Sequence, residues 1–197
     1  MQSKTQKLAN TAILTALSIV LSFVILYEMP MGGSVTLACM LPVMLVSFRY
    51  GTLWGLGSSF VTAVFQLLQA VMHANVFPYC ETGSALVVCI LFDYLFPFTV
   101  IGLAGICRRM SLGKIKHFGA YLGLCLVFLL RFLSHFITGV VIWGQWAPEG
   151  MGKFLYSFIY NGSFLGIEFL ITFVLALILV ESPQIGKYLE LDTKKSA

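Results

Sequence analysis

Long apolar segments alternate with short polar ones along the whole chain. Six segments are predominantly apolar, with bounds 8–27, 35–48, 52–72, 84–107, 118–143 and 154–180. A run of about 20 apolar residues is long enough to cross the hydrocarbon core of a bilayer as a helix. The pattern predicts an all-α membrane protein: a six-transmembrane-helix bundle that forms a single domain over residues 1–197. The second segment is short, which favours a tilted, half-buried or partial span.

The composition supports a membrane environment. Of the 197 residues, 59% are hydrophobic and 10% are charged, whereas a soluble domain carries about 25% charged residues. The 5 cysteines include no Cys-x-x-Cys pair, so we interpret them as small packing residues rather than disulfides or metal ligands. No metal or cofactor is expected. The N-terminal apolar run lacks a clear small-residue cleavage site, so we interpret it as a retained first helix.

The basic residues predict how the bundle is oriented. Ten of the 12 Lys and Arg residues fall on one side of it: Lys4, Lys7, Arg49, Arg108, Arg109, Lys114, Lys116, Lys187, Lys194 and Lys195. By the positive-inside rule this side is cytoplasmic, so both termini are predicted to be cytoplasmic. The net charge of +4 therefore indicates orientation in the cell membrane rather than binding to nucleic acid.

Ionisable side chains inside predicted helices mark candidate functional sites. Asp93, Arg131 and Glu168 lie in the fourth, fifth and sixth segments, where charge is costly and usually functional. With a rise of 1.5 Å per residue, Asp93 lies about 13 Å from the outer end of its helix, His135 about 12 Å and Asn161 about 10 Å. These three side chains are predicted to meet at one level and form a pocket.

The fifth segment carries a face with a four-residue spacing. Arg131, His135, Gly139 and Trp143 recur along it, and successive members of such a series share one side of a helix. Gly139 leaves room beside it for a ligand or for a close helix. Arg131 has two alternative partners for an ion pair, Asp93 and Glu168, because buried charges are usually paired.

The predicted pocket suits a small aromatic cation. Asp93 supplies negative charge, and Asn161 both donates and accepts hydrogen bonds. Flat faces for stacking or cation–π contact come from Tyr94, His135, Trp143 and Tyr156.

Several stretches resemble one family of transport proteins. They are residues 131–143, 147–150 and 156–163, together with Asp93-Tyr94 and residues 102–105. Over nearly its whole length the chain resembles the thiamin-specific S components, the substrate-binding subunits, of energy-coupling factor (ECF) transporters. There are departures: Arg131 stands where some relatives have lysine, and Gly33 stands near a position where some have tryptophan.

The resemblance implies roles for individual residues. In the family an acidic residue followed by tyrosine on the fourth helix contacts the vitamin. The implied substrate-binding residues are Asp93, Tyr94, Arg131, His135, Gly139, Trp143, Tyr156 and Asn161, with Tyr79 of the loop before the fourth helix as a further candidate. Ala12 and Ala16 of the first helix would meet the membrane-embedded coupling subunit.

The resemblance also implies a function and a location. It is high-affinity thiamin binding and uptake across the bacterial cell membrane, by a multi-pass S component of an ECF-type ABC transporter. The partners would be the transmembrane coupling subunit and two cytoplasmic ATPases. The chain has no GxxxxGK[ST] phosphate loop, so ATP hydrolysis is expected in those partners and the chain is not expected to be an enzyme.

Three alternatives remain open at this point. An S component for another vitamin, such as riboflavin, would have the same helix count. A membrane-embedded enzyme would use His135 and Asp93 as acid–base groups, but no HExxH, nucleophile elbow or paired-carboxylate motif accompanies them. A structural membrane subunit without a ligand would leave the buried polar residues with no role beyond packing.

Overall fold

The computed structural model describes residues 3–73 and 76–191, so Lys194 and Lys195 of the predicted basic side lie outside the described residues. The helices and strands are α1 (Lys4–Ser22), β1 (Ile25–Glu28), β2 (Ser34–Thr36), α2 (Leu41–Tyr50), α3 (Thr52–His73), α4 (Gly83–Cys107), α5 (Phe118–Val141), α6 (Lys153–Glu181) and α7 (Pro183–Leu189). Short 3-10 turns occur at Pro30–Gly32, Phe77–Tyr79 and Trp143–Trp146.

The prediction of an α-helical membrane protein is confirmed. Within the described ranges, four helices are long and apolar enough to span a membrane: α3, α4, α5 and α6, of 22, 25, 24 and 29 residues. Helix α2 has 10 residues and a length of about 15 Å, which is half of a typical hydrocarbon core. Most of its side chains are buried, because α1, α3 and α4 pack around it.

Helix α1 has its polar side chains inside and its apolar side chains outside. The buried face carries hydroxyl groups at helical spacing, from Thr11, Thr15, Ser18 and Ser22. The Thr15 and Ser58 hydroxyl oxygens are 2.7 Å apart, and the Ser18 hydroxyl donates to the Cys39 carbonyl at 2.5 Å. Leucine, isoleucine and valine cover the exposed face. This arrangement suits a helix that contacts lipid, where hydroxyl groups bond between helices.

The first apolar segment divides into a helix and a strand, which the apolar pattern did not predict. A run of 8–27 was expected as one helix, yet α1 ends at Ser22 and Ile25–Glu28 pairs antiparallel with Ser34–Thr36. Short apolar runs fit a strand or a helix equally well, so their pattern alone cannot separate the two. Since β2 takes the start of the predicted segment 35–48, helix α2 begins only at Leu41.

Helix α4 occupies nearly the predicted range but is irregularly wound. Residues Ile90–Leu95 form wide π turns, in which the Phe96 N–H donates to the Leu91 carbonyl five residues back. The change of winding has a cause in the sequence. Pro97 has no N–H and cannot donate to the carbonyl of Asp93 four residues earlier. The helix therefore changes register just where Asp93 lies.

The bundle has two chemically different ends. At one, the Lys7 amine lies 4.6 Å from the centroid of the Trp54 ring, and Arg49 Nη1 lies 2.5 Å from Glu190 Oε1. We call this the basic end. It brings together the start of α1, the junction of α2 with α3, and the residues after α7. The β-hairpin and the turns before α4 and α6 lie at the opposite end, which we call the cavity end.

Helices near the basic end cross in backbone contact. A Cβ added at Gly102 of α4 would overlap backbone atoms of Gly55 and Leu56 of α3. The buried Ser47 hydroxyl of α2 donates to the Gly102 carbonyl at 2.5 Å and accepts from the Gly105 N–H at 2.8 Å. Small residues that permit close approach are typical of helix contacts in membranes.

Candidate functional site

A cavity opens at the cavity end between the hairpin, α4, α5 and α6. The empty space of the cavity and its mouth, including open solvent, is about 770 Å³. Polar side chains border it from Ser34, Gln66, Asp93, Arg131, His135, Ser157 and Asn161. Aromatic rings border it from Tyr94, Phe98, Trp143, Tyr156, Tyr160 and Phe164. This lining can hold a ligand that is both aromatic and charged.

Asp93 is held by three donors from α5 and the turn that follows. Trp143 Nε1–H donates to Oδ2 at 2.9 Å, the Thr138 hydroxyl donates to Oδ1, and His135 Nδ1 lies 3.1 Å from Oδ1. The Asp93 and His135 side chains are each only 11% exposed. The carboxylate is therefore fixed in one orientation at the border of the cavity.

His135 offers one ring nitrogen to a ligand. Its Nδ1 faces Asp93, while Nε2 is buried and has no hydrogen-bond partner in the described part of the chain. When a neutral imidazole donates from Nδ1, its Nε2 is an acceptor. Burying such an atom unpaired costs free energy, so a ligand N–H or O–H at this position would stabilise the site.

Arg131 lies at the border of the cavity and forms neither of the two alternative ion pairs. Its side chain is buried, its Nη1 lies 2.6 Å from Met40 Sδ, and its Cζ lies 4.4 Å from the centroid of the Phe98 ring. Among the described residues, neither Asp93 nor Glu168 forms a direct ion pair with it. Arg131 Nε is buried without a hydrogen-bond partner.

Glu168 holds the hairpin instead. Its Oε2 accepts the Thr36 backbone N–H at 2.5 Å and its Oε1 accepts the Thr36 hydroxyl at 2.6 Å. The Glu168 side chain is fully buried and does not border the cavity. This carboxylate of α6 therefore anchors strand β2, and its role in the structure is to position the hairpin.

Gly139 both borders the cavity and admits a neighbouring helix. A Cβ added there would lie 2.8 Å from Asn161 Nδ2 and 2.8 Å from Ser157 Cβ of α6. The Asn161 Nδ2 group donates to the carbonyls of His135 and Ser157 at 3.1 and 3.0 Å. The close crossing of α5 and α6 thus fixes the Asn161 amide, and its oxygen is the group it can offer to a ligand.

Tyr160 connects the hairpin turn to α6. Its hydroxyl donates to the Pro30 carbonyl and accepts from the Gly33 N–H, which is 3.3 Å away. The Tyr156 ring lies beside it, with centroids 5.8 Å apart. On the other side of the cavity Tyr94 contacts Phe77, with ring centroids 5.7 Å apart. Aromatic residues therefore cover the cavity from several directions.

Tyr79 is the predicted substrate-binding residue that lies outside the cavity lining. The predicted partner-binding residues Ala12 and Ala16 also lie outside it. Tyr79 is 40% exposed and packs edge-on against Trp146, with ring centroids 5.6 Å apart. Ala12 and Ala16 are exposed on the apolar face of α1. The other eight predicted substrate-binding residues all border the cavity.

Sequence reasoning missed several residues of the site. They are Gln66, Phe98, Thr138, Ser157, Tyr160 and Phe164. Some carried a signal: Thr138 lies three residues after His135 on the same helix face, and Gln66 is a polar residue inside an apolar segment. Phe98 and Phe164 carried none, because phenylalanine in an apolar helix is ordinary packing.

A helical membrane bundle with a polar and aromatic cavity at one end defines a membrane-embedded binding protein for a small ligand. Residues 8–186 match the family model described as thiamine transporter protein (Thia_YuaJ). The chain belongs to this family of thiamine transporters.

Individual relatives agree with that assignment. The chain is 32% identical over 191 residues to the thiamine transporter ThiT of Bacillus subtilis (strain 168), covering 92% of this chain and 94% of the relative. It is 34% identical over 103 residues to ThiT of Lacticaseibacillus paracasei, covering 48% of this chain and 51% of that protein. A solved structure of ThiT from Listeria monocytogenes has the same fold, with a TM-score of 0.72 and 21% identity over 95% of this chain and 99% of that chain.

Proposed function

We propose that this chain binds thiamin at the cavity between α4, α5 and α6 and is the substrate-binding S component of an ECF-type transporter. As a thiamine transporter of the bacterial cell membrane, it is a transport protein rather than an enzyme. One observation carries the assignment of the site: three donors fix the Asp93 carboxylate beside aromatic rings inside a membrane bundle.

The chemistry of thiamin matches the lining of the cavity. Thiamin consists of a cationic thiazolium ring, an aminopyrimidine ring and a hydroxyethyl group. Asp93 supplies the opposite charge, and Trp143, Tyr94 and Tyr156 supply faces for the two rings. The pyrimidine amino group can donate a hydrogen bond to His135 Nε2 or to the Asn161 amide oxygen.

Two further residues complete the proposed site, and a third belongs to its surroundings. Arg131 borders the cavity with its Nε buried and unpartnered, so it can donate to the hydroxyl oxygen or a ring nitrogen of the vitamin. Gly139 allows the approach of α6 that brings Asn161 to the cavity. Tyr79 would act from the loop at the mouth, where it packs on Trp146.

We further propose the topology that the charges predict. Residues 1–197 would form one integral membrane domain with six membrane helices and cytoplasmic termini, in which the short α2 is a partial span enclosed by its neighbours. Contacts at the basic end support the placement of both ends of the described chain on one side, because the start of α1 and the residues after α7 lie together there. The cavity would then open to the outside.

The proposed partners are the ECF coupling subunit in the membrane and two cytoplasmic ATPases. The sequence contains no phosphate-binding loop of the GxxxxGK[ST] type, so energy must come from other chains. Ala12 and Ala16 lie exposed on α1 among larger apolar side chains. Two small residues four positions apart allow a partner helix to approach closely.

A binding titration tests the proposed function. Thiamin is added to vitamin-free protein in detergent while tryptophan fluorescence is followed, because Trp143 borders the cavity. We expect saturable quenching at submicromolar thiamin and none with riboflavin. Asp93→Asn should weaken binding by roughly 30-fold or more, since breaking a buried charge pair costs about 2–5 kcal/mol.

A matched variant separates direct contact from general charge. Glu149→Gln removes a carboxylate from the exposed loop before α6, outside the cavity lining, and should bind thiamin like the unmodified protein. A folded protein that does not respond to thiamin contradicts the proposal. Equal weakening by the two variants contradicts the role given to Asp93.

A further inference from the structure

We propose that Ser134 is a positioning residue for ligand binding, because it holds the widened turn of α4 that presents Asp93 to the cavity. The inference rests on the proposed function, in which Asp93 is the counter-charge of the bound cation. Ser134 does not border the cavity, so it can affect the ligand only through other residues.

The wide turn changes which backbone hydrogen bonds α4 makes. The Phe96 N–H donates to the Leu91 carbonyl, five residues back. In a regular α-helix the same N–H would bond to the carbonyl of Phe92, four residues back. The wide register would give Phe92 the N–H of residue 97 instead, and Pro97 has none. The wide register therefore leaves the Phe92 carbonyl without a backbone donor, whereas the regular register would supply the Phe96 N–H.

Ser134 of α5 supplies the missing donor. Its hydroxyl donates to the Phe92 carbonyl at 2.5 Å, and the side chain is buried. A serine inside a helix commonly turns its hydroxyl back to the carbonyl four residues earlier, which here is Leu130. Ser134 bonds to a different helix instead. Within a bilayer every backbone polar group needs such a partner, since no water can replace it.

The position of this bond connects it to Asp93. Phe92 is the residue before Asp93, and Ser134 is the residue before His135, which contacts the Asp93 carboxylate. Two consecutive residues of α5 therefore hold the backbone and the side chain of the same short segment of α4. Wide turns of this kind are frequent at functional sites.

Loss of the serine hydroxyl is expected to rewind the turn. Without an outside donor, the Phe92 carbonyl is satisfied when Phe96 returns its N–H to it and the α-helical register is restored. A shift of one residue in register turns the preceding helix by about 100°. Asp93 would then move away from His135 and Trp143, and the cavity would lose its fixed charge.

Three variants test the inference by thiamin titration. Ser134→Ala should weaken binding about 10-fold or more, whereas Ser134→Thr keeps the hydroxyl and should stay within about 3-fold of the unmodified protein. Ser163→Ala is the matched control, because the Ser163 hydroxyl bonds within its own helix to the Tyr160 carbonyl. It should leave the affinity unchanged. If Ser134→Ala does not fold, Ser134→Cys is titrated instead. Its thiol is close in size to the hydroxyl but is a weaker donor, so thiamin binding should again weaken.

A double-mutant comparison separates positioning from general packing. If Ser134 acts through the Asp93 charge, Ser134→Ala should change affinity less than about 2-fold when Asp93→Asn is already present, in titrations extended to millimolar thiamin. An equal loss in both backgrounds, or unchanged affinity in the single variant, would overturn the inference. Failure of the unmodified protein to bind thiamin would instead reject the proposed function.

Discussion

The two ends of this bundle use the same kinds of residue for opposite purposes. Near the basic end, Gly55 and Gly102 bring the backbones of α3 and α4 together, and the Ser47 hydroxyl of α2 bonds to Gly102 and Gly105 of α4. At the cavity end, Gly139 also brings two helices together, but the polar groups beside it face an open space. The crossing near the basic end is tightly packed, whereas the crossing at Gly139 borders the cavity.

The polar groups at these two crossings differ in their hydrogen bonds, although Arg49 Nε of the basic end is also buried without a hydrogen-bond partner among the described residues. The Ser47 hydroxyl both donates and accepts within the protein. At the cavity, His135 Nε2 and Arg131 Nε are buried and unpartnered in the described residues. Because native proteins rarely bury polar atoms unpaired, such atoms at a cavity indicate where a ligand binds. Perturbing the basic end should therefore change stability, and perturbing the cavity end should change affinity.

The largest effect is expected for Gly102→Ala near the basic end. Its new Cβ would overlap backbone atoms of Gly55 and Leu56, which cannot move aside like a flexible side chain. Overpacking of this kind costs about 3 kcal/mol, which for a chain of this size lowers the Tm by on the order of 10 °C. Thermal unfolding in detergent measures the shift.

Gly57→Ala is the control for that substitution, because no atoms lie near its added Cβ, and its Tm should stay close to that of the unmodified protein. The folded fraction of Gly102→Ala should still bind thiamin normally. A loss of affinity without a loss of stability would show that the two ends are not independent.

At the cavity end, Gly139→Ala should act mainly on affinity. The added Cβ would press on Ser157 and Asn161 and displace the amide that faces the ligand. We expect a loss of about 30-fold in thiamin affinity by fluorescence titration, corresponding to about 2 kcal/mol. Gly166→Ala on the same partner helix, where the added Cβ meets no atoms, should bind normally. Unchanged affinity in Gly139→Ala would contradict the role given to Gly139 in bringing Asn161 to the ligand.

Glu168→Gln should have a smaller effect, which it exerts through the hairpin. The amide keeps one acceptor but turns an NH₂ group toward a Thr36 donor. Losing one charge-assisted bond costs about 1.5 kcal/mol, so thiamin affinity should fall about 10-fold or less. Hydrogen exchange in residues 25–36 should rise. Glu190→Gln, which removes the ion pair of Arg49 at the basic end, should change neither quantity.

The sequence predicted the long helices well and the connections near the hairpin poorly. Helices α3 and α5 begin at or next to the predicted residues, because long apolar runs between charged loops leave few alternatives. The strand Ile25–Glu28 was hidden in an apolar run that continues directly from α1. Its pairing with Ser34–Thr36 is a tertiary contact, on which local composition carries little information.

For the candidate site, depth along the helices and the four-residue spacing on α5 were informative, whereas the partners of Arg131 were not predictable. Asp93, His135 and Asn161 were expected at one level, and the structure brings all three to one cavity. Neither proposed partner of Arg131 forms an ion pair with it, because Glu168 is occupied by Thr36 and Asp93 by donors of α5. Deciding such pairings requires the rotation of each helix, and the irregular winding of α4 changes that rotation.

The central claim is that the Asp93 carboxylate recognises a positive charge. The most direct test compares thiamin with its neutral analogue in which a thiophene ring replaces the thiazolium, by titration of the unmodified protein and of Asp93→Asn. We predict that the unmodified protein prefers thiamin by roughly 30-fold or more and that Asp93→Asn loses this preference. Equal affinity of the unmodified protein for both compounds would contradict the account.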